Sequence, residues 1–259
     1  MGSGVVLWKS LSPNRPGPDF SHSQPTTPDH SSLSVSLALP SCLLSVLSSF
    51  HGGMDVIPPF KLILGSASSS RRKILKEMGY EFTISTADID EKSIRKEKPE
   101  DLVMTLAEAK ADAIIANLRT TTMNNQQDKD EEPTILVATD TVVVYEGAIR
   151  EKPAGKEEAR EFIKGYSGGH AATVGSVLVT NLKTGFRKGE WDRVEIYFHE
   201  IPDEVIEKLI EEGIVLRVAG GLIIEHPLVL PYIKEVVGTT DSVMGLSKAL
   251  TKKLIEEAL

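Results

Sequence analysis

Apolar and polar positions along the chain alternate between short strand-like runs and helical stripes. Lys61–Leu64 is a short apolar strand, followed by the small-residue loop Gly65-Ser66-Ala67-Ser68-Ser69-Ser70-Arg71-Arg72. Ile74, Leu75 and Met78 then recur at helical spacing up to Gly79, a C-terminal stop. Pro99-Glu100-Asp101 opens a helix predicted to reach about Leu118, with Val103, Leu106, Ala107, Ala113 and Ile114 on one stripe. Ile135–Val144 is nearly continuous, β-branched and apolar, as a central strand requires. A turn at Glu146-Gly147 and a short helix over 155–164 follow. Strands over 171–180 and 191–200 are joined by a turn at Thr184-Gly185. Pro202 starts a helix that stops at Gly213, and Leu246, Leu250 and Leu254 mark the last one. The ordered strand, loop and helix segments predict an α/β fold. The polar stretch 119–133 is predicted to be a flexible surface insertion.

Several residues break these patterns. The loop 65–72 joins a strand to a helix N-terminus, where free N–H groups and the helix dipole favour an anion. Serine hydroxyls add donors there, and arginine can grip phosphate oxygens bidentately. An ordinary serine-rich N-cap with two solvated arginines is the other reading. Neither G-x-x-x-x-G-K-[ST] nor G-x-G-x-x-G occurs. Lys110 sits inside the apolar stripe of its helix, where it either snorkels to the edge or meets an anion. Asp140, between Thr139 and Thr141, lies in the middle of the apolar strand. A carboxylate there must be paired, metal-bound or reached by water. A salt bridge with Lys110 or Lys152 is one reading; a metal ligand or general base is the other. Asp88-Ile89-Asp90-Glu91 reads either as a solvated loop or as part of the same acidic site, and Lys152-Pro153 as the end of the hairpin or part of it.

Taken in order, these motifs resemble those of the Maf-like nucleoside triphosphate pyrophosphatases. The likeness is carried by S-x-S-x-x-R-R at Ser66–Arg72, D-x-D-E at Asp88–Glu91 and L-A-x-x-K-A at Leu106–Ala111. T-D-T-V-V at Thr139–Val143 and Lys152-Pro153 complete the set, and the resemblance runs from about Pro59 to Leu259. It implies hydrolysis of the α–β phosphoanhydride of a nucleotide to a nucleoside monophosphate and diphosphate, with Mg²⁺ or Mn²⁺ as cofactor. By that likeness Asp140 is the proton acceptor, Glu91 helps hold the metal with Asp140, and Lys110 and Lys152 neutralise the triphosphate. Ser66, Arg71 and Arg72 line the phosphate loop. Base choice falls on Ser70, Thr141 and Glu225. Uracil- and thymine-preferring members resemble Arg, Thr, Gln at these positions, and 7-methylguanosine triphosphate members resemble Trp, Gln, Glu. The mixture leans slightly toward pyrimidines through Thr141. Ser69 stands where the family commonly has proline. The implied architecture is inosine-triphosphatase-like: a central mixed sheet with helices on both sides and two lobes around a cleft. A nucleotide-binding regulator of cell division or growth, without turnover, is the alternative; it would have no use for a water-activating Asp140.

Composition narrows the rest. A chain of 259 residues with 41% hydrophobic content can bury a real core. The net charge of −8 argues against nucleic acid as a partner, while a nucleoside triphosphate needs only local positive charge. The single cysteine, Cys42, excludes intrachain disulfides and a cysteine zinc cluster. Residues 1–53 are rich in Ser and Pro and lack Glu, which predicts a disordered extension before a 54–259 pyrophosphatase domain opening at Met54. Leu33–Phe50 is broken by Ser and Pro40 and too short for a membrane span, so no membrane partner is expected. The expected compartment is the cytoplasm; the acid-poor extension leaves organelle targeting as the lesser option, and a homodimer is the open option for assembly.

Overall fold

The computed structural model describes residues 59–86, 88–123 and 132–259, with side chains described as far as Thr120 before the second interval. The expected boundary at residue 53 lies outside the described residues. β1 (Lys61–Leu64) leads through the serine loop into α1 (Ser69–Glu77), whose N-cap Ser68 accepts a hydrogen bond from the Arg71 amide at 3.4 Å. β2 (Thr83–Ile84) and α2 (Pro99–Met123) follow. α2 continues five residues into the stretch read as a flexible insertion: Thr120 sits within its last turns, its hydroxyl bonded back to the Ala116 carbonyl. The rest of that stretch, up to residue 131, lies outside the described residues.

β3 (Thr134–Tyr145) and β4 (Ala148–Arg150) form the expected hairpin, with Glu146 and Gly147 both at positive φ (49° and 78°), as a two-residue turn requires. Then come α3 (Lys156–Tyr166), β5 (His170–Asn181), β6 (Arg187–Phe198) and α4 (Asp203–Glu212). β7 (Ile233–Val237), α5 (Thr240–Val243) and α6 (Lys248–Ala258) close the chain. The sheet order is β2-β1-β3-β5-β6-β7, with β4 paired to β3. β1 runs parallel to β2 and β3, and the remaining pairs are antiparallel, so the sheet is mixed as expected.

Helices cover both faces, and β3 shows how. Its odd-numbered Ile135 and Val137 pack with α1 and α6, whereas Val143 joins the cluster under α3 and α4. On the other face Leu136 and Ala138 meet Ala107, Ala111 and Ile114 of α2, and Val142 and Val144 meet Leu102, Val103 and Leu106. Burying each large aliphatic side chain contributes roughly 1.5–3 kcal/mol. Between these clusters stand Thr139, Asp140 and Thr141. One polar triplet therefore interrupts apolar packing on both faces of the central strand.

The same triplet lies at an opening in the strand order. β1 pairs with β3 only as far as Val137, and β4 begins only at Val143. Among the described residues Ala138–Val142 thus has no strand partner along that edge. The loop after β1 emerges there, with the Gly65 amide bonded to the Val137 carbonyl at 2.8 Å. Groups from both faces of the sheet can reach the gap, at the carboxyl end of a parallel strand where α/β folds bind ligands. Among the described residues no helix is long and apolar enough to cross a membrane.

Candidate active site

Asp140 is 7% exposed, and its carboxylate accepts a bond from Lys110 Nζ at 2.5 Å. Lys110 also meets Glu91 at 3.1 Å. The lysine in the apolar stripe of α2 therefore meets an anion, and its side chain is 14% exposed. Two carboxylates converge on one ammonium group, one from a central strand and one from the short 3₁₀ turn Glu91–Ser93. The aspartate backbone is held as well. Its N–H donates to Ser176 Oγ at 3.2 Å, and that hydroxyl donates to the Val103 carbonyl at 2.8 Å. Ser176 thus ties α2 to the sheet beside the carboxylate, fixing the distance that Lys110 must span.

Arg71 approaches from the other face. Its guanidinium donates to Ser66 Oγ (3.2 Å), Thr141 Oγ1 (3.0 Å) and the Gly245 carbonyl (2.9 Å). All three acceptors are neutral. Burial lowers the arginine from its ordinary range, while the fields of Asp140 and Glu91 oppose that lowering. Arginine is still cationic after any ordinary shift. The arrangement is a desolvated positive charge whose direct neighbours do not neutralise it. Gly245 is needed for this grip: its φ is +104°, and a Cβ there would stand 3.1 Å from Arg71 Nε.

The remaining predicted residues fall at different distances from this centre. Lys152 follows β4 toward the strand gap but is exposed, and no described hydrogen bond or ion pair joins it to Asp140, Glu91 or Lys110. Arg72 is exposed; its backbone amide bonds the Ser68 carbonyl in the first turn of α1. Ser70 is half-buried in that turn, next to the arginine that holds Thr141. Glu225 is exposed, and no described contact brings it to Ser70 or Thr141. Of the acidic quartet only Glu91 turns inward to Lys110, and Asp88 and Asp90 are exposed. Among the described residues no group of three or more His, Cys, Asp or Glu side chains is arranged to hold a metal.

Two contributors escaped the sequence reading. Arg95 donates to the Glu91 carbonyl at 3.2 Å and pairs with Glu151 at 3.4 Å, tying the acidic turn to the segment before Lys152. Ser176 was detectable in principle, because a lone hydroxyl between Val174 and Val177 is the same kind of anomaly as Asp140. His170 stacks on Tyr197, and His226 bonds Glu212 at 2.9 Å.

The chain is similar in sequence to known proteins. Residues 61–258 match the family described as Maf-like protein. A relative from Dictyostelium discoideum named 7-methyl-GTP pyrophosphatase is 37% identical over 196 residues, covering 76% of this chain and 96% of its own. One from Alkaliphilus metalliredigens named dTTP/UTP pyrophosphatase is 31% identical over 186 residues, covering 72% and 90%. A third, from Salinispora tropica and named nucleoside triphosphate pyrophosphatase, is 29% identical over 202 residues, covering 77% and 84%. With the match spanning nearly every described residue, this chain belongs to the Maf-like family.

Proposed function

We propose that this protein is a nucleoside triphosphate pyrophosphatase, cleaving the α–β phosphoanhydride to a nucleoside monophosphate and diphosphate. The observation that carries the reading is the Asp140–Lys110–Glu91 group, with Asp140 buried, beside a serine loop whose Arg71 is held, among the described residues, by neutral acceptors. Phosphate hydrolysis asks chiefly for positioning and charge neutralisation. Arg71 supplies an under-neutralised cation at the loop, Lys110 a second, and Lys152 a third from the exposed end of β4. Asp140 takes the proton of the attacking water, with Lys110 fixing the orientation of its carboxylate.

A divalent cation fits this donor set. Asp140 and Glu91 offer hard carboxylate oxygens within reach of one point, and Mg²⁺ commonly uses one or two carboxylates plus substrate phosphates and water. When bound, it would neutralise phosphate charge and lower the pKa of a water. For the base, Thr141 supports uracil and thymine nucleotides, and its hydroxyl, accepting from Arg71, keeps its own proton to donate. Glu225 and the 7-methyl-GTP relative support the methylated purine.

The test is pyrophosphate release by the full chain with Mg²⁺ on 7-methyl-GTP, dTTP, UTP and the remaining canonical triphosphates. Asp140→Asn should lower kcat by about 10²–10⁴ while nucleotide binding persists. Lys110→Ala should weaken substrate capture as well as turnover. Nucleotide binding without pyrophosphate release from any triphosphate would sink the enzyme reading in favour of a nucleotide-binding regulator.

A further inference from the structure

Asp192 is a carboxylate that the reaction just described does not use. It stands on β6 opposite Gly175 of β5, on the face of the sheet that carries Thr141. The empty side-chain position of Gly175 shows how close the two are: a Cβ built there would lie 3.5 Å from Asp192 Oδ1 and 3.6 Å from Thr141 Oγ1. Asp192 is partly buried, and among the described residues no cation pairs with it. Hydroxyls hold it instead. Ser242 donates to Asp192 Oδ2 at 2.5 Å, Thr239 contacts Ser242 at 2.9 Å, and the Ser247 hydroxyl also favours the ionised form.

Ser242 and Ser247 bracket Gly245 in the chain. Ser242 belongs to α5, and Ser247 is the N-cap of α6, its side chain accepting from the Leu250 amide at 3.4 Å. Between them the Gly245 amide bonds the Ser242 carbonyl at 3.0 Å, so the turn is a continuous hydrogen-bonded unit. The Gly245 carbonyl is what this turn presents to the site, accepting from Arg71 Nε at 2.9 Å and from Thr139 Oγ1 at 3.1 Å. Local backbone bonds shape the turn, and the buried Leu246 seats it against the core. Asp192 adds a polar tie, because it joins the turn to β6 by a side chain rooted in a strand.

We infer that Asp192 is a positioning residue for Arg71, acting through Ser242 and the carbonyl of Gly245. The inference rests on the reading of Arg71 as a phosphate ligand. A part-buried carboxylate without a cation is costly to keep, and burial holds its carboxyl above the ordinary value. Ser242 and Ser247 offset part of that cost, and the consequence is a turn docked at one place. Arg71 needs that docking because one of its three neutral acceptors is a main-chain carbonyl that no side-chain rotamer can move into position.

The test is a double-mutant cycle on the full chain, reading kcat/KM for pyrophosphate release and the melting temperature of every variant. Asp192→Ala should lower kcat/KM by roughly ten- to a hundred-fold, the scale of a misplaced substrate-binding group. In an Arg71→Ala background the same change should alter kcat/KM by less than about twofold, since coupled residues are not additive. Asp192→Asn keeps an acceptor for Ser242 and should recover most of the loss. If Asp192→Ala does not fold, Ser242→Ala takes its place in the cycle with the same expectation. Equal losses in both backgrounds would overturn the inference, because Asp192 would then act independently of Arg71. An Arg71→Ala protein as active as the parent would overturn the phosphate reading of Arg71 itself, and this inference with it.

Discussion

At the scale of single residues, the charges in this protein divide into those with charged partners and those without. Lys110 has two carboxylates, whereas among the described residues Arg71 and Asp192 have only neutral acceptors or donors as direct neighbours. The latter kind leaves a signature in stability. Burial raises the Asp192 carboxyl above its ordinary value, with Asp241 adding to the rise. The folded chain therefore binds that proton more tightly than the unfolded chain. The associated stability is present at low pH and is lost as pH rises through the folded-state value. Asp192→Asn carries no such charge. Its melting temperature relative to the parent should climb as the pH is raised from the acid range toward neutrality, then level off. A difference that stays flat or falls over that range would mean the serines hold Asp192 ionised as easily as water does.

At the scale of elements, the turn between α5 and α6 supplies the Gly245 carbonyl that accepts from Arg71. Gly245→Ala forces an alanine into a left-handed conformation and places its Cβ against Arg71 and Thr141. It should cost more than about 1 kcal/mol in urea unfolding and lower kcat/KM together with it. An alanine variant with parental stability and activity would show that this turn does not set the arginine. Such turns are hard to read from sequence, because Gly245 looks like any helix-connecting glycine until its carbonyl is seen against Arg71. The long strands were legible, since β3 and β5 are apolar over most of their length and buried on both faces. β2 and β7 were not, because both are edge strands with mostly exposed side chains and no core-facing alternation. α2 outran its predicted end because threonines have weak helix propensity but do not stop a helix whose earlier turns are firmly packed. Among the site residues, Asp140 and Lys110 announced themselves by charge in apolar surroundings. Arg95 and Asp192 carried no such signal, since each reads as a solvated residue until its partners are known.

At the scale of the whole described domain, the polar triplet of β3 is a seam between apolar clusters on both faces of the sheet. If the fold were arranged for stability alone, the seam would be filled. Replacing a buried ion pair by apolar side chains of similar size is often neutral or stabilising, by up to about 4 kcal/mol. Asp140 and Lys110 suit this test because Val142 and Ala138 on one side, and Val103 and Ile114 on the other, already provide apolar surroundings. Glu91, with nearly half of its side chain exposed, can turn to water once Lys110 is gone. The double variant Lys110→Met with Asp140→Val should therefore unfold at a urea concentration equal to or above the parent's, while pyrophosphate release disappears. Each single change should be less stable than the pair, because it leaves one charge without its partner. A double variant that loses more than about 2 kcal/mol, beyond the usual cost of repacking a core, would make the pair a brace of the fold. Its place at the strand gap would then need a structural explanation in place of a catalytic one.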